Sequence, residues 1–162
     1  MGTTQLWAPW RMDFIKGDMP QGCVFCTLPQ ETDDRNNLIV ARGQNAFVIM
    51  NKYPYNNGHL MIVPNLHLAD FTQVPLDVLA EMNLLTQKAL RALASAYRPE
   101  GYNMGMNLGH AAGAGIKDHL HLHIVPRWVG DTNFMPVVAD TKSMPQHLQA
   151  SYDQIAEQFR KM

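Results

Sequence analysis

The chain has 162 residues, 46% of them hydrophobic, and thirteen basic against fourteen acidic side chains for a formal net charge of −1. That length suits one domain, residues 1–162, around a single core, and the lack of any basic block argues against a long nucleic acid partner. The longest apolar runs, in HLMIVP and NAFVIM, fall far short of the roughly 20 residues that cross a bilayer, and the start has no signal-peptide pattern, so a cytoplasmic protein without a membrane partner is expected.

An irregular start rich in Trp and Pro leads to Cys23 and Cys26, the only two cysteines. In a reducing compartment such a C-x-x-C pair points to metal or redox work more than to a structural disulfide. The tract that follows, TLPQETDD, predicts no helix of the kind that activates a thioredoxin-like thiolate, which favours the metal. NLIVAR and AFVIMN predict strands separated by the turn GQN, and HLMIVP predicts a third after the turn YPYNNG. From Pro75 to about Tyr97, Leu79, Met82, Leu85, Ala89, Leu93 and Tyr97 recur at helical spacing on one face. Pro75 suits the first turn of that helix and Pro99 stops the chain beyond it. YNMGMNLG and HLHLHIVPRW predict two more strands joined by GHAAGAGIKD, and a weaker amphipathic helix is expected from about Pro145 to Arg160. Strands, helix, strands and a last helix indicate an α+β domain on an antiparallel sheet of about five strands.

Side chains two apart on a strand share a face, so His119, His121 and His123 align on one side while Leu120, Leu122 and Ile124 face the core. Imidazoles are reactive near neutral pH and costly to bury without partners. An exposed face that happens to be rich in histidine is the plain alternative. One ion touching all three is awkward, because the first and third Cα atoms stand roughly 13 Å apart along a straight strand. A division of labour is easier to build: tetrahedral zinc wants four nitrogen and sulfur ligands, Cys23 and Cys26 supply two, and two histidines complete the set. His67 and His119 are candidates, although spacing alone does not choose His67 over His59 or His110. The glycine-rich tract after Asn107 can expose successive N–H groups as an anion-binding nest, with Gly113 and Gly115 as candidate phosphate positions, or can be a mobile connection. It leads directly into the histidines, which favours the nest and places a phosphate beside His121, a candidate nucleophile. Lys117 is the nearest cation, although a lone loop lysine is more often surface than ligand.

HLHLHIV fits the signature of the histidine triad (HIT) family, and NGHLMIVPNLH is similar to that family's strand and turn. The likeness runs from about Cys23 to Arg127, leaving an N-terminal arm and a C-terminal helical extension. LWAPWR, NKYPYNNGHLMIVP, NMGMNLGHAAGAG and HLHLHIVPRWVGDTNF further resemble the branch containing bacterial diadenosine tetraphosphate phosphorylases. The resemblance implies a HIT-like fold and a nucleotidyltransferase or hydrolase that attacks the α-phosphate of a nucleotide through His121. His123 would lie close to the phosphate oxygens or the leaving group, and His59 would support the nucleophile. Asn51 matches the ribose-binding position and Asn107 one near the phosphates. Cys23, Cys26, His67 and His119 would hold a structural Zn2+, and Mg2+ could accompany the nucleotide. Inorganic phosphate or water would be the acceptor, and a homodimer is implied. The loop GAGIKDH departs from the Gly-Gln-Ser/Thr type of many hydrolases. His110, within the loop, reads either as a phosphate contact or as a solvent-facing side chain, and Asp118 directly precedes the triad.

Overall fold

A computed structural model describes residues 22–132, 144 and 146–162 of the protein. The N-terminal stretch LWAPWR, residues 133–134 and Pro145 lie outside the described residues.

Among those residues, β1 (Ile39–Arg42), β2 (Ala46–Met50), β3 (Leu60–Pro64), β4 (Gly101–Gly105) and β5 (Leu122–Arg127) form one antiparallel sheet in the order β1-β2-β3-β5-β4. Three helices accompany them: α1 (Val24–Thr27), α2 (Leu76–Tyr97) and α3 (Leu148–Arg160). β2 and β3 pair along their whole lengths and every residue in both is buried. Their unbroken apolar sequences AFVIM and LMIVP follow from this, because a central strand covered on both faces has no reason to alternate. α2 lies against β2, β3 and β5, and α3 against α2 and β1.

α2 forms as the periodicity predicts, burying Val78, Met82, Leu85, Ala89 and Leu93. Pro75 is its N-cap, and its C-cap Arg98 is left-handed at φ 48° with Pro99 next, so the chain turns sharply into β4. α3 begins at Leu148, where the His147 ring accepts a hydrogen bond from the Gln149 amide and caps the first turn. The sequence-based start near Pro145 is therefore three residues early.

Three other expectations are corrected. A short helix does form around the cysteines: Cys23 is the N-cap of the single turn α1, followed by a 3-10 turn, Leu28–Gln30. Four residues are too few to show a helical period. β4 ends at Gly105, four residues before the end of YNMGMNLG, because β5 offers it no register partner beyond His123. Regular pairing in β5 starts only at Leu122. The chain before it takes a different partner, with the Leu120 amide bonding the Leu68 carbonyl.

The register sets up the site. Ile39, Ile49, Met61, His123 and Gly105 are successive cross-strand partners, so they form one row over the face opposite α2. His59 and His121 come to that same place from just outside the strands, with His59 Nε2 2.9 Å from His123 Nδ1 and the His121 ring centroid 4.8 Å from that of His123.

Candidate active site and metal centre

Cys23, Cys26, His67 and His119 converge, with one potential ligand atom from each lying within 4.8 Å of all the others. The α1 turn gathers the two thiols, closed by the Cys26 amide donating to the Cys23 carbonyl at 2.9 Å. His67 arrives from the turn after β3. Four of the approaches are Cys23 Sγ to His119 Nδ1, 3.4 Å; Cys26 Sγ to His67 Nδ1, 3.3 Å; Cys26 Sγ to His119 Nδ1, 3.5 Å; and His67 Nδ1 to His119 Nδ1, 3.3 Å. A tetrahedron built on Zn–S near 2.3 Å and Zn–N near 2.05 Å has edges of about 3.3–3.8 Å, so the four donors fit zinc. His119 Nε2–H donates to the Pro64 carbonyl at 2.7 Å, which fixes the ring and leaves the Nδ1 lone pair facing the cluster. Burial, and then its neighbour Cys23, push the Cys26 thiol above its ordinary value, and burial lowers His119. A bound cation would reverse the direction for the thiol. His59 and His110 take no part in the cluster, a choice that spacing left open.

The remaining two triad histidines face a cleft of about 430 Å³. His121 is buried, and its Nδ1–H donates to the His119 carbonyl at 2.9 Å. The carbonyl only accepts, so the proton sits on Nδ1 and the lone pair on Nε2 is free. Burial lowers the His121 pKa against the opposing effect of that hydrogen bond, favouring the neutral ring. The Phe25 ring packs on it at 5.1 Å and on His119 at 5.5 Å.

His59 is fully buried and joins a relay of defined direction. The Tyr55 amide donates to His59 Nδ1 at 3.1 Å, so the proton of neutral His59 is on Nε2. Nε2 lies 2.9 Å from His123 Nδ1, which must accept, leaving His123 with its proton on Nε2. The triad thus presents a bare nitrogen on His121 and an N–H on His123, with ring centroids 4.8 Å apart.

Asn51, Asn107 and Gly115 lie on the cleft wall, with the Asn51 carbonyl oxygen accepting from the Tyr53 amide. Gly113 is the left-handed cap of the 3-10 turn His110–Ala112. Gly113, Lys117, His110 and Asp118 are exposed and stand off that wall. Sequence reasoning missed Phe25, Tyr55 and Gln149, all of which line the cleft. Phe25, between the two cysteines, offered a signal only in hindsight of where α1 packs. Gln149 offered none.

The model of the HIT domain matches residues 33–129, more than half of the chain. A Mycobacterium tuberculosis protein named AP-4-A phosphorylase is 39% identical over 153 residues, covering 89% of this chain and 78% of that protein. Among solved structures, a Zn-bound histidine triad family protein from Mycobacterium smegmatis has a TM-score of 0.68 at 24% identity, over 86% of this chain and 94% of that one. A Plasmodium falciparum diadenosine triphosphate hydrolase has a TM-score of 0.62 at 15% identity, over 81% of this chain and 78% of that one. Both structures share the fold. With the triad, the five-stranded sheet and these matches together, the chain belongs to the HIT family.

Proposed function

We propose that the protein is a nucleotidyltransferase that cleaves diadenosine tetraphosphate with inorganic phosphate, giving ATP and ADP through a nucleotidyl–His121 intermediate. The observation that carries this reading is the hydrogen bond from His121 Nδ1–H to the His119 carbonyl, which leaves Nε2 bare on the cleft wall. The 39% identity to a protein named AP-4-A phosphorylase supports phosphate as the acceptor.

In the first step His121 Nε2 attacks the α-phosphorus, the N–P bond forms, and the P–O bond to the triphosphate portion breaks with its electron pair leaving on ATP. The ring becomes cationic, and the His119 carbonyl stabilises the charge at Nδ1–H. His123 Nε2–H donates to a nonbridging or bridging oxygen as charge grows there, held in that tautomer by His59 and the Tyr55 amide. Removing one comparable donor costs roughly 10²–10³ in rate in a well-studied enzyme. In the second step a phosphate oxygen attacks the same phosphorus, the N–P pair returns to Nε2, and ADP departs. Two displacements replace one difficult one. Asn51 is assigned to the ribose hydroxyls, and Asn107 with Gly115 to the phosphates.

Zn2+ held by Cys23, Cys26, His67 and His119 would supply structure and no chemistry, because four protein ligands close its coordination. The proposal includes a homodimer: β4 is a free sheet edge among the described residues, and the exposed apolar Met104 on β4 and Leu84 on α2 favour pairing of two copies. It also includes a cytoplasmic location; no helix among the described residues is long and apolar enough to cross a membrane.

Incubation with diadenosine tetraphosphate, with and without phosphate, tests the reaction. ATP plus ADP only when phosphate is present is the expected result, whereas ATP plus AMP in its absence at the same rate would make water the acceptor and overturn the phosphorylase reading.

A further inference from the structure

The cleft extends well beyond the histidines. It runs from His121 and His123 at β5 to the residues flanking β1, three strand spacings away in the sheet order, or about 14 Å. Its walls toward β1 are apolar, with Val24, Leu28, Leu38, Ile49 and Met61. An aromatic base fits such walls, and a nucleotide whose phosphorus sits at His121 sends its base in that direction.

Three carboxamides interrupt the apolar lining there: Asn36, Asn37 and Gln149. Two are already engaged, since Asn36 Nδ2 donates to Asp33 at 3.0 Å and Asn37 Nδ2 donates to Glu31 at 2.8 Å. Gln149 differs. Its Oε1 is buried and has no hydrogen-bond partner, the only such side-chain atom among the described residues. A buried carbonyl oxygen without a donor forfeits the hydrogen bonds it makes to water in the unfolded chain, a loss that a ligand's N–H would remove. Gln149 stands in the first turn of α3, and that helix packs against β1 and α2.

Resting on the nucleotide-transfer reading, we infer that Gln149 is the base-selecting residue of the cleft and takes adenine. Its Oε1 accepts from the exocyclic N6 amine while its Nε2 donates to the adjacent ring nitrogen. That ring nitrogen is N7: guanine presents two acceptors, N7 and O6, on the same edge, so either orientation of the carboxamide would set its own oxygen against an acceptor. A bidentate carboxamide–adenine pair discriminates against the wrong base by roughly 10- to 100-fold.

The test compares kcat/KM for diadenosine and diguanosine tetraphosphate in the wild type, Gln149→Leu and Gln149→Ala, alongside calorimetric binding of AMP and GMP to each. We expect the wild type to prefer adenine by about 10- to 100-fold, and both variants to bring the ratio near unity through the adenine substrate, mostly in KM. A melting curve overlaying the wild type identifies which variant keeps the fold, and Gln149→Ala serves if the leucine is not accommodated. An adenine preference unchanged in a folded variant overturns the assignment. If the wild type turns over neither dinucleotide, the transfer reading fails by itself. The AMP-to-GMP binding ratio then decides on Gln149: its loss in the variants supports the inference and its persistence overturns it.

Discussion

Stripping the metal should lower the stability of the protein without removing its chemistry. As ligands of one ion, Cys23, Cys26, His67 and His119 would tie the α1 turn to the segment after β3, 41 residues on from Cys26, and to the triad, 93 residues on from Cys26. A permanent cross-link closing loops of such lengths would stabilise by about 4–5 kcal/mol on the chain-entropy account. A reversible ion stabilises according to its excess over the dissociation constant, about 4 kcal/mol at a thousandfold excess, so the two routes agree in scale. At roughly 2–4 °C per kcal/mol for a chain of this size, the melting midpoint should fall by about 8–16 °C on chelation. Calorimetry with and without chelator measures the shift, and turnover is then assayed well below the apo midpoint. Cys26→Ser supplies the control: it should melt near the apo midpoint and respond little to chelator. Activity lost on chelation with an unchanged midpoint would refute the argument and make the metal a participant in catalysis.

Other perturbations probe the frame. The Asp131 carboxylate, with its side chain only 7% exposed, takes two hydrogen bonds from Arg127 and one from Asn56, and the Arg127 guanidinium beside it holds its pKa well below the usual carboxylate range. Its stabilisation is therefore present above the unfolded pKa near 3.9 and fades as pH falls below it. Asp131→Asn should cost about 1–2 kcal/mol at pH 7, discounted for the half-exposed arginine, with the gap to wild type closing below pH 4 in urea titrations; a gap constant with pH would contradict this. Gly58 precedes His59 at φ +75°, and a Cβ there would stand 3.0 Å from Leu93 Cδ2 and 3.1 Å from Tyr97 Cε2, so Gly58→Ala should destabilise by about 1–3 kcal/mol. Arg98 holds its left-handed cap without being glycine, and Arg98→Gly should raise stability by roughly 0.5–1 kcal/mol, read as a higher urea midpoint. His59→Phe should keep the fold and lower kcat by about 10²-fold, because His123 loses the partner that sets its tautomer.

The elements that declared themselves in the sequence were those with enough length to show a period. α2 repeats its apolar positions across 22 residues, and β2 and β3 are unbroken apolar runs between turn signals. The turn around Cys23 and Cys26 spans four helical residues, too short for any period, although the C-x-x-C spacing by itself points to the two sulfurs as a candidate metal pair. Alternation places the three histidines on one face, yet it does not show that His119 and much of His121 are buried, because Phe25 packs on both rings from a segment far away in the chain. For the same reason the choice of His67 over His59 and His110 was invisible to spacing and follows from where β3 ends. Gln149 lay beyond sequence reasoning altogether, since only the packing of α3 brings it to the cleft.

The stereochemical course at the α-phosphorus tests the central claim most directly. With a diadenosine tetraphosphate analogue made chiral at that atom by sulfur substitution, two in-line displacements through His121 give the α-thio analogue of ADP with net retention of configuration. Net inversion would mean a single direct displacement by the acceptor, and the nucleotidyl–His121 intermediate would be wrong.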